Sequence, residues 1–130
     1  MRLLHSLVTL SALAALSASC AASPPAQPQK PSRACFWTRD VDNFAAVDEE
    51  RVNVRVRPRE VFQLELAGPC LDIEWSSRIA LTSRGGSSIC EGYDAEIVAP
   101  GPSGVQRCIV RSVRRLTEAE AAALPPSEKP

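Results

Sequence analysis

The sequence has a single histidine, His5, and it lies near the amino terminus, in a segment that we expect to be removed. The mature chain would then contain no histidine at all. This excludes Ser-His-Asp and Cys-His nucleophilic catalysis as well as histidine-ligated metal sites. No two cysteines have the C-x-x-C spacing that redox pairs and cysteine zinc sites use. We therefore expect neither a metal nor an organic cofactor.

An excess of positive charge is also missing. The 130 residues include 15 basic and 15 acidic side chains, so the formal net charge is zero. A protein that binds nucleic acid needs a basic surface to neutralise phosphates. The arginines between residues 51 and 59 are interleaved with, or adjacent to, the acidic Glu60 and Glu65 of the same hairpin, which is typical of a solvated strand face. The composition gives no support for a nucleic-acid partner.

No apolar run is long enough to cross a bilayer. The longest, residues 7–16, has ten residues, whereas a spanning helix needs about 20. It follows a basic residue, Arg2, and precedes small residues. Residues 1–20 thus have the three regions of a secretory signal peptide, and we expect an exported, periplasmic protein.

The end of the signal peptide, residues 16–20, is similar to a lipobox and would make Cys20 the lipid-bearing residue. Ser17 departs from the pattern, because a lipobox usually has Leu, Val or Ile there, and ordinary cleavage near Ala22 is the competing interpretation. Lipidation also explains an odd number of cysteines, five, in an exported chain. Residues 21–33 are rich in proline and predict a tether to the outer or inner membrane.

The four remaining cysteines are predicted to form two structural disulfides. A folded part of residues 34–116 is small for a hydrophobic core, and disulfides stabilise such exported domains. Three pairings are possible, and we expect Cys70–Cys90 together with Cys35–Cys108, the second joining the first strand to the last.

Residues 51–70 show the clearest strand pattern. Valines at 52, 54 and 56 and apolar residues at 62, 64 and 66 alternate with polar ones, which predicts a hairpin of two half-buried strands. We expect Val56 to face Phe62, with Pro58, Arg59 and Glu60 as a three-residue loop. Asn53 would then lie opposite Glu65 on a polar face of mixed charge.

Other short strand patterns recur at intervals of about ten residues, separated by turn residues. Residues 84–87 and 100–104 are predicted turns, the first joining strands at 78–83 and 88–90 as a hairpin. Residues 108–110 are apolar on both faces, which favours a central or bulged strand. Within residues 117–130, Thr117 and Glu120 fit a capping box that opens a short helix. The predicted fold is all-β: a small, disulfide-stapled antiparallel barrel or compact sandwich of six to seven short strands, with a short C-terminal helix.

The aromatic residues are the candidate ligand contacts. Trp37 is expected in the core beside Phe36 and Phe44, whereas Trp75 lies among acidic and serine residues and Tyr93 begins a predicted strand, residues 93–99. Exposed aromatic side chains are common anchors for partners. We therefore expect Trp75 and Tyr93 to bind an envelope protein or a glycan, in a binding or structural role.

Two other functions remain open. An inhibitor of an exported hydrolase would present a rigid loop, either 84–87 or 100–104. A small carboxylate-dependent hydrolase would need two carboxylates facing one cleft. The nearest pairs are Asp72 with Glu74 and Glu91 with Asp94. The absence of histidine and of any catalytic motif makes a non-enzymatic role the main expectation.

Several segments together resemble a known family. They are Cys35-Phe36-Trp37, the stretch from Leu64 to Cys70, the return from Gly85-Gly86 to Ile89-Cys90, and Arg107-Cys108-Ile109 running on to Leu116. In this order they resemble an uncharacterised family of small bacterial cell-envelope proteins, a domain of unknown function whose members look like lipoproteins with these four cysteines. The resemblance implies an envelope location and supplies no activity, ligand or catalytic residue.

Overall fold

A computed structural model describes residues 35–90 and 92–130. The signal peptide, Cys20 and the tether lie outside these residues, so their predictions stay predictions. The described chain forms eight strands and one α-helix. In chain order these are β1 (Phe36–Trp37), β2 (Val41–Asp48), β3 (Arg51–Val56), β4 (Glu60–Leu66), β5 (Ala80–Ser83), β6 (Ser88–Ile89), β7 (Ala95–Gly101), β8 (Gly104–Arg115) and α1 (Glu118–Ala123).

Six strands form one antiparallel sheet in the order β2-β3-β4-β8-β7-β5, which curls into a half-barrel, and β1 pairs with β6 in a small second sheet. The predicted all-β class, disulfides and C-terminal helix are confirmed. No helix in the described residues is both long and apolar enough to span a membrane.

The core lies on the concave face of the curled sheet. Alternate residues of each central strand point into it, as the period-two pattern predicts. On β3 and β4 the fully buried residues include Val52, Val54 and Leu64, and on β7 and β8 they include Ile97 and Val110. In β3, β4 and β7 this alternation fixes which face of the strand is buried.

The β3–β4 hairpin forms, but the predicted register was wrong by two residues. Val54 faces Phe62 and Val56 faces Glu60, so the loop consists of Arg57, Pro58 and Arg59. Arg57 adopts a left-handed conformation, with φ of 57°, which closes the loop one residue earlier than expected. The shift is even, so the same side chains still face the core.

The polar face of the hairpin changes with the register. Glu65 lies opposite Arg51, and Asn53 lies opposite Gln63 rather than Glu65. Asn53 is fully buried although it points away from the core. The chain after α1 covers it, and Asn53 Nδ2 donates a hydrogen bond to the Glu128 carbonyl at 2.9 Å.

Strand β8 is central and bulged, as predicted from its apolar stretch. It lies between β4 and β7, and its register with β4 shifts where Glu65 faces Ser112 and Leu66 faces Val110. The bulge places Arg111 on the outer face, 3.5 Å from the Glu65 carboxylate.

The disulfide pairing differs from the expectation. Cys35 pairs with Cys90 and Cys70 with Cys108, instead of Cys70–Cys90 and Cys35–Cys108. The sheet explains both bonds. Phe36 faces Ile89 in the small sheet, which brings the adjacent cysteines together. A hydrogen bond from Ala67 N to Ile109 O at 2.8 Å extends the β4–β8 pairing toward Cys70 and Cys108.

Two local predictions were also wrong. Residues 84–87 form a bend, but the flanking strands do not pair with each other, because β5 pairs with β7 and β6 with β1. Trp37 is 43% exposed, while its neighbour Phe36 is buried, its ring centroid 4.7 Å from that of Phe62. Neighbouring strand residues point to opposite faces, so only one of the two can enter the core.

The C-terminal helix begins with the predicted capping box. Glu120 N donates to Thr117 Oγ1, and Thr117 N donates to the Glu120 carboxylate at 2.7 Å. Arg114 adds an ion pair at 2.7 Å. The hydrogen bond from the Thr117 backbone, the Arg114 guanidinium and the Thr117 hydroxyl together lower the pKa of Glu120 from 4.5 to about 2.

The disulfide pairing can be read from one peptide map. Trypsin separates the four cysteines into peptides 34–39, 60–78, 85–107 and 108–111. Without reduction, we expect mass spectrometry to find 34–39 linked to 85–107 and 60–78 linked to 108–111. A species linking 60–78 to 85–107 would show instead the pairing expected from the sequence.

The capping box makes stability depend on pH in a defined window. Because the folded pKa of Glu120 is depressed, the ionised carboxylate stabilises the fold fully above pH 4.5, and this contribution is lost as the pH falls toward 2. Glu120→Gln should lower the melting temperature at pH 7, and the difference from wild type should shrink below pH 4.5. A Glu120 carboxyl that titrates near 4.5 by NMR would contradict this.

Candidate functional site around Trp75

The candidate site is built on a 3₁₀ turn, Ile73–Trp75, that follows the Cys70 disulfide. Ile73 is fully buried and inserts into the core. The turn contacts both β2 and β7, which lie in opposite halves of the curled sheet. Ile73 thus fixes the turn to the concave face of the half-barrel.

The buried isoleucine determines where its neighbours point. Asp72 precedes the turn in a left-handed conformation, with φ of 60°, and its carbonyl accepts the Trp75 N–H at 3.1 Å. Ser76 N closes the turn on the Ile73 carbonyl at 3.1 Å. With Ile73 directed inward, Trp75 is directed outward, and its side chain is 84% exposed.

Trp75 borders an open depression of about 380 Å³. Its walls come from two segments that are far apart in sequence: the turn region and the β7–β8 connection. The lining residues are Asp72, Trp75, Ser76, Ser77, Arg78, Pro100, Gly101 and Pro102. We call this depression the Trp75 pocket.

Gln106 fastens the two walls of the Trp75 pocket together. Its Nε2 donates hydrogen bonds to the carbonyls of Leu71 and Pro100, the second at 3.0 Å. Gly101 makes room for this side chain, since a Cβ at position 101 would lie 2.7 Å from the Gln106 amide. These hydrogen bonds therefore link the turn region to the β7–β8 connection.

The pocket offers both signs of charge beside an aromatic surface. Asp72 and Arg78 are both exposed, and within residues 35–90 and 92–130 neither forms a salt bridge. By contrast, most arginines on the sheet strands are paired, for example Arg51 with Asp48 at 2.6 Å and Arg115 with Glu60 at 2.6 Å. Two serines add hydroxyl groups between the charges.

The two predicted aromatic contacts do not belong to one site. Tyr93 is 62% exposed, but it precedes β7, whereas the Trp75 pocket lies at the end of β7. A seven-residue strand separates the two by about 20 Å. Tyr93 is held by a hydrogen bond from its N–H to Val110 O and has a positive φ of 30°.

The predicted carboxylate pairs are not brought together as a hydrolase would need. Asp72 lines the Trp75 pocket, while Glu74 lines a different groove of about 520 Å³ with Asp48, Arg51, Glu65 and Arg111. Glu91 lies outside the described residues, so its pairing with Asp94 has no structural account. Among residues 35–90 and 92–130, no three His, Cys, Asp or Glu side chains are placed to hold a metal ion.

The larger groove is organised by internal ion pairs. The Asp48 carboxylate accepts hydrogen bonds from Arg51 Nε and Nη2, the second at 2.6 Å, and from Glu50 N. Burial opposes ionisation, but these bonds outweigh it and lower the pKa of Asp48. Glu65 has a lowered pKa for a similar reason, chiefly the hydrogen bond from the Ser112 hydroxyl. The carboxylates of Asp48 and Glu65 thus already have hydrogen-bond partners within the protein.

A family model described as a family of unknown function (DUF6491) matches residues 1–129. The chain belongs to this family. The match confirms the expected membership of an uncharacterised family, and its description assigns no activity or ligand. Neither a curated protein nor a solved structure matches the chain.

Sequence reasoning missed half of the site in this family member. Pro100, Gly101 and Pro102 were predicted only as a turn, and Gln106 was not singled out. Their role arises from the pairing of β7 with β8, where Pro100 faces Val105 and Gly101 faces Gly104. Only the local surroundings of Trp75, rich in acidic and serine residues, could have indicated its exposure from the sequence.

The exposure of the two tryptophans can be compared directly by fluorescence. Trp37→Phe leaves Trp75 as the only tryptophan, and Trp75→Phe leaves Trp37, whose ring lies 4.9 Å from the Arg39 guanidinium carbon. We expect acrylamide to quench Trp75 more strongly than Trp37, because 84% of Trp75 and 43% of Trp37 is exposed.

Trp75→Ala serves as the stability control, because an exposed side chain contributes little to the fold. Its free energy of unfolding should stay within about 0.5 kcal/mol of wild type. Weaker quenching of Trp75 than of Trp37, or a large loss of stability in Trp75→Ala, would show that the indole is buried.

Proposed function

We propose that this protein is an exported, lipid-anchored envelope protein that binds an envelope component through the Trp75 pocket. The observation that carries the proposal is an indole that is 84% exposed on a turn fixed by a buried isoleucine and a disulfide. Large aromatic side chains at such positions are common binding anchors.

Two features support export. The disulfides Cys35–Cys90 and Cys70–Cys108 indicate an oxidising, exported compartment, because cytosolic thiols are kept reduced. The first 20 residues have the pattern of a signal peptide. Lipid attachment at Cys20 would hold the domain at a membrane on the proline-rich tether, within reach of envelope components.

The rigidity of the pocket supports binding. A site that is already in its bound shape loses little conformational entropy when the ligand arrives. The 3₁₀ turn, the hydrogen bonds of Gln106 and the Cys70–Cys108 disulfide all restrict the two walls. The separation of Asp72 from Glu74 supports a binding role over carboxylate hydrolysis.

A second candidate function, inhibition of an exported hydrolase, is favoured by the loop 84–87. All four of its residues are exposed. Its base is held by Arg84 N donating to Asp94 O at 2.7 Å and Thr38 N donating to Ser87 O at 2.9 Å. The tip carries Gly85 and Gly86, however, and ordering glycine residues costs more conformational entropy on binding than ordering other residues.

The binding role can be tested with isolated cell envelopes. The purified exported protein with Cys20→Ala, which cannot carry the lipid anchor, should co-sediment with isolated envelopes, and adding Trp75→Ala should remove most of this association. Trp37→Phe is the matched control, because it removes the other tryptophan from outside the pocket and should bind as wild type. Equal binding by Trp75→Ala and wild type would overturn the proposed site.

Anchoring is tested separately on the natively expressed protein. Mass spectrometry of the membrane fraction should find diacylglyceryl-modified Cys20 at the amino terminus. An unmodified terminus near Ala22 in the soluble fraction would overturn lipidation and would favour a freely diffusing inhibitor.

A further inference from the structure

The chemistry of the Trp75 pocket points to one class of ligand. We propose that it binds a pyranose ring that carries a carboxylate, stacked on Trp75 and paired with Arg78. This inference rests on the proposed binding role of the same pocket and names its ligand.

The exposed indole suits a sugar ring. One face of a pyranose presents C–H groups, which are apolar and carry partial positive charge, and the face of an indole carries the complementary negative charge. Stacking on Trp75 would cover apolar surface that is otherwise exposed to water. The pocket volume, about 380 Å³, lies at the small end of the 300–1,000 Å³ range of ligand sites, which fits one or two sugar rings.

The polar walls supply the remaining groups that sugar recognition needs. The Asp72 carboxylate can accept hydrogen bonds from ring hydroxyls or from an acetamido N–H, and the Ser76 and Ser77 hydroxyls can donate or accept. A sugar has many such groups around its rim. The combination of one aromatic surface with hydroxyl and carboxylate partners matches a ring that is apolar on its face and polar at its edge.

Arg78 determines the preference for an acidic sugar. Its guanidinium is exposed on the pocket wall, and its planar fork matches the geometry of a carboxylate. Asp72 stands six residues earlier in the same segment, so the pocket carries one charge of each sign. A ligand with a carboxylate at one edge and hydroxyl or amide donors at the other matches this arrangement.

The surroundings favour a glycan over a protein partner. An aromatic anchor for a protein usually sits in a broad interface that excludes water. Around Trp75, four of the seven other lining residues are polar or charged, namely Asp72, Ser76, Ser77 and Arg78, and no second aromatic residue of the described chain lines the pocket. A small, open site with polar walls and one aromatic surface suits a glycan, which stays partly hydrated and binds through hydrogen bonds.

Two disaccharides provide a matched pair of probes. N-acetylglucosaminyl-N-acetylmuramic acid carries a lactyl carboxylate, and N,N′-diacetylchitobiose, called chitobiose below, has a similar N-acetylated backbone without it and is uncharged. In calorimetric titrations of the purified exported protein at low salt, we expect the acidic disaccharide to bind at least tenfold more tightly than chitobiose. Trp75→Ala should weaken binding of both by at least tenfold.

Arg78→Gln tests the charge pairing. It should remove the preference, so that the acidic disaccharide binds no better than chitobiose, while chitobiose binding stays unchanged. Arg84→Gln is the matched control, because it neutralises an exposed arginine outside the pocket and should keep the tenfold preference. A preference that survives in Arg78→Gln would overturn the role of Arg78.

The failure of this inference can be told from the failure of the proposed function. If neither disaccharide binds while Trp75→Ala still loses envelope association, the glycan is wrong and a protein partner occupies the pocket. If Trp75→Ala associates with envelopes as wild type does, the proposed binding site falls and the inference falls with it. Equal binding of the two disaccharides would overturn the acidic class.

Discussion

The burial of Ile73 is the interaction on which the site depends. The six-stranded sheet curls around one layer of apolar side chains, and the turn that carries Ile73 closes against both halves of it. Once Ile73 is buried, the 3₁₀ turn leaves Trp75 no place in the core and directs it into solvent. The packing of Ile73 in the core therefore fixes the position of the exposed Trp75 indole.

The Cys70–Cys108 disulfide holds the turn in place together with the small hydrophobic core. Cys70 begins the segment that leads to Ile73, and Cys108 lies on β8, the strand that also carries Gln106. The disulfide and the hydrogen bonds of Gln106 therefore tie the turn to the same strand at two points. A native disulfide typically stabilises a small domain by about 2–4 kcal/mol. Here it also restricts one wall of the Trp75 pocket.

Features with a local physical cause were predictable from the sequence. The alternation in β3 and β4 identified every buried apolar residue of the hairpin, but not the buried Asn53, and Thr117 with Glu120 identified the start of α1. The register was not predictable, because a period of two allows any even shift and the choice was made by the conformation of Arg57. Alternation alone should likewise have separated Phe36 from Trp37, since neighbours in a strand cannot both face the core.

Features that depend on contacts between distant segments could not be predicted. The disulfide pairing follows from the pairing of β1 with β6 and the continuation of β4 beside β8, neither of which leaves a local signal. The Trp75 pocket joins residues about 30 positions apart through Gln106, whose role is visible only once β7 and β8 are paired. The sequence indicated Trp75, but the other side of the pocket could be identified only from the tertiary structure.

The central claim is that Trp75 contacts an envelope component in the cell. It is tested most directly by placing a photoreactive phenylalanine analogue at position 75, or at position 37 as control, in the natively exported protein. Irradiation of cells should link position 75 to an envelope glycan or protein and leave position 37 largely unlinked. Equal linkage at the two positions, or none at position 75, would contradict the account.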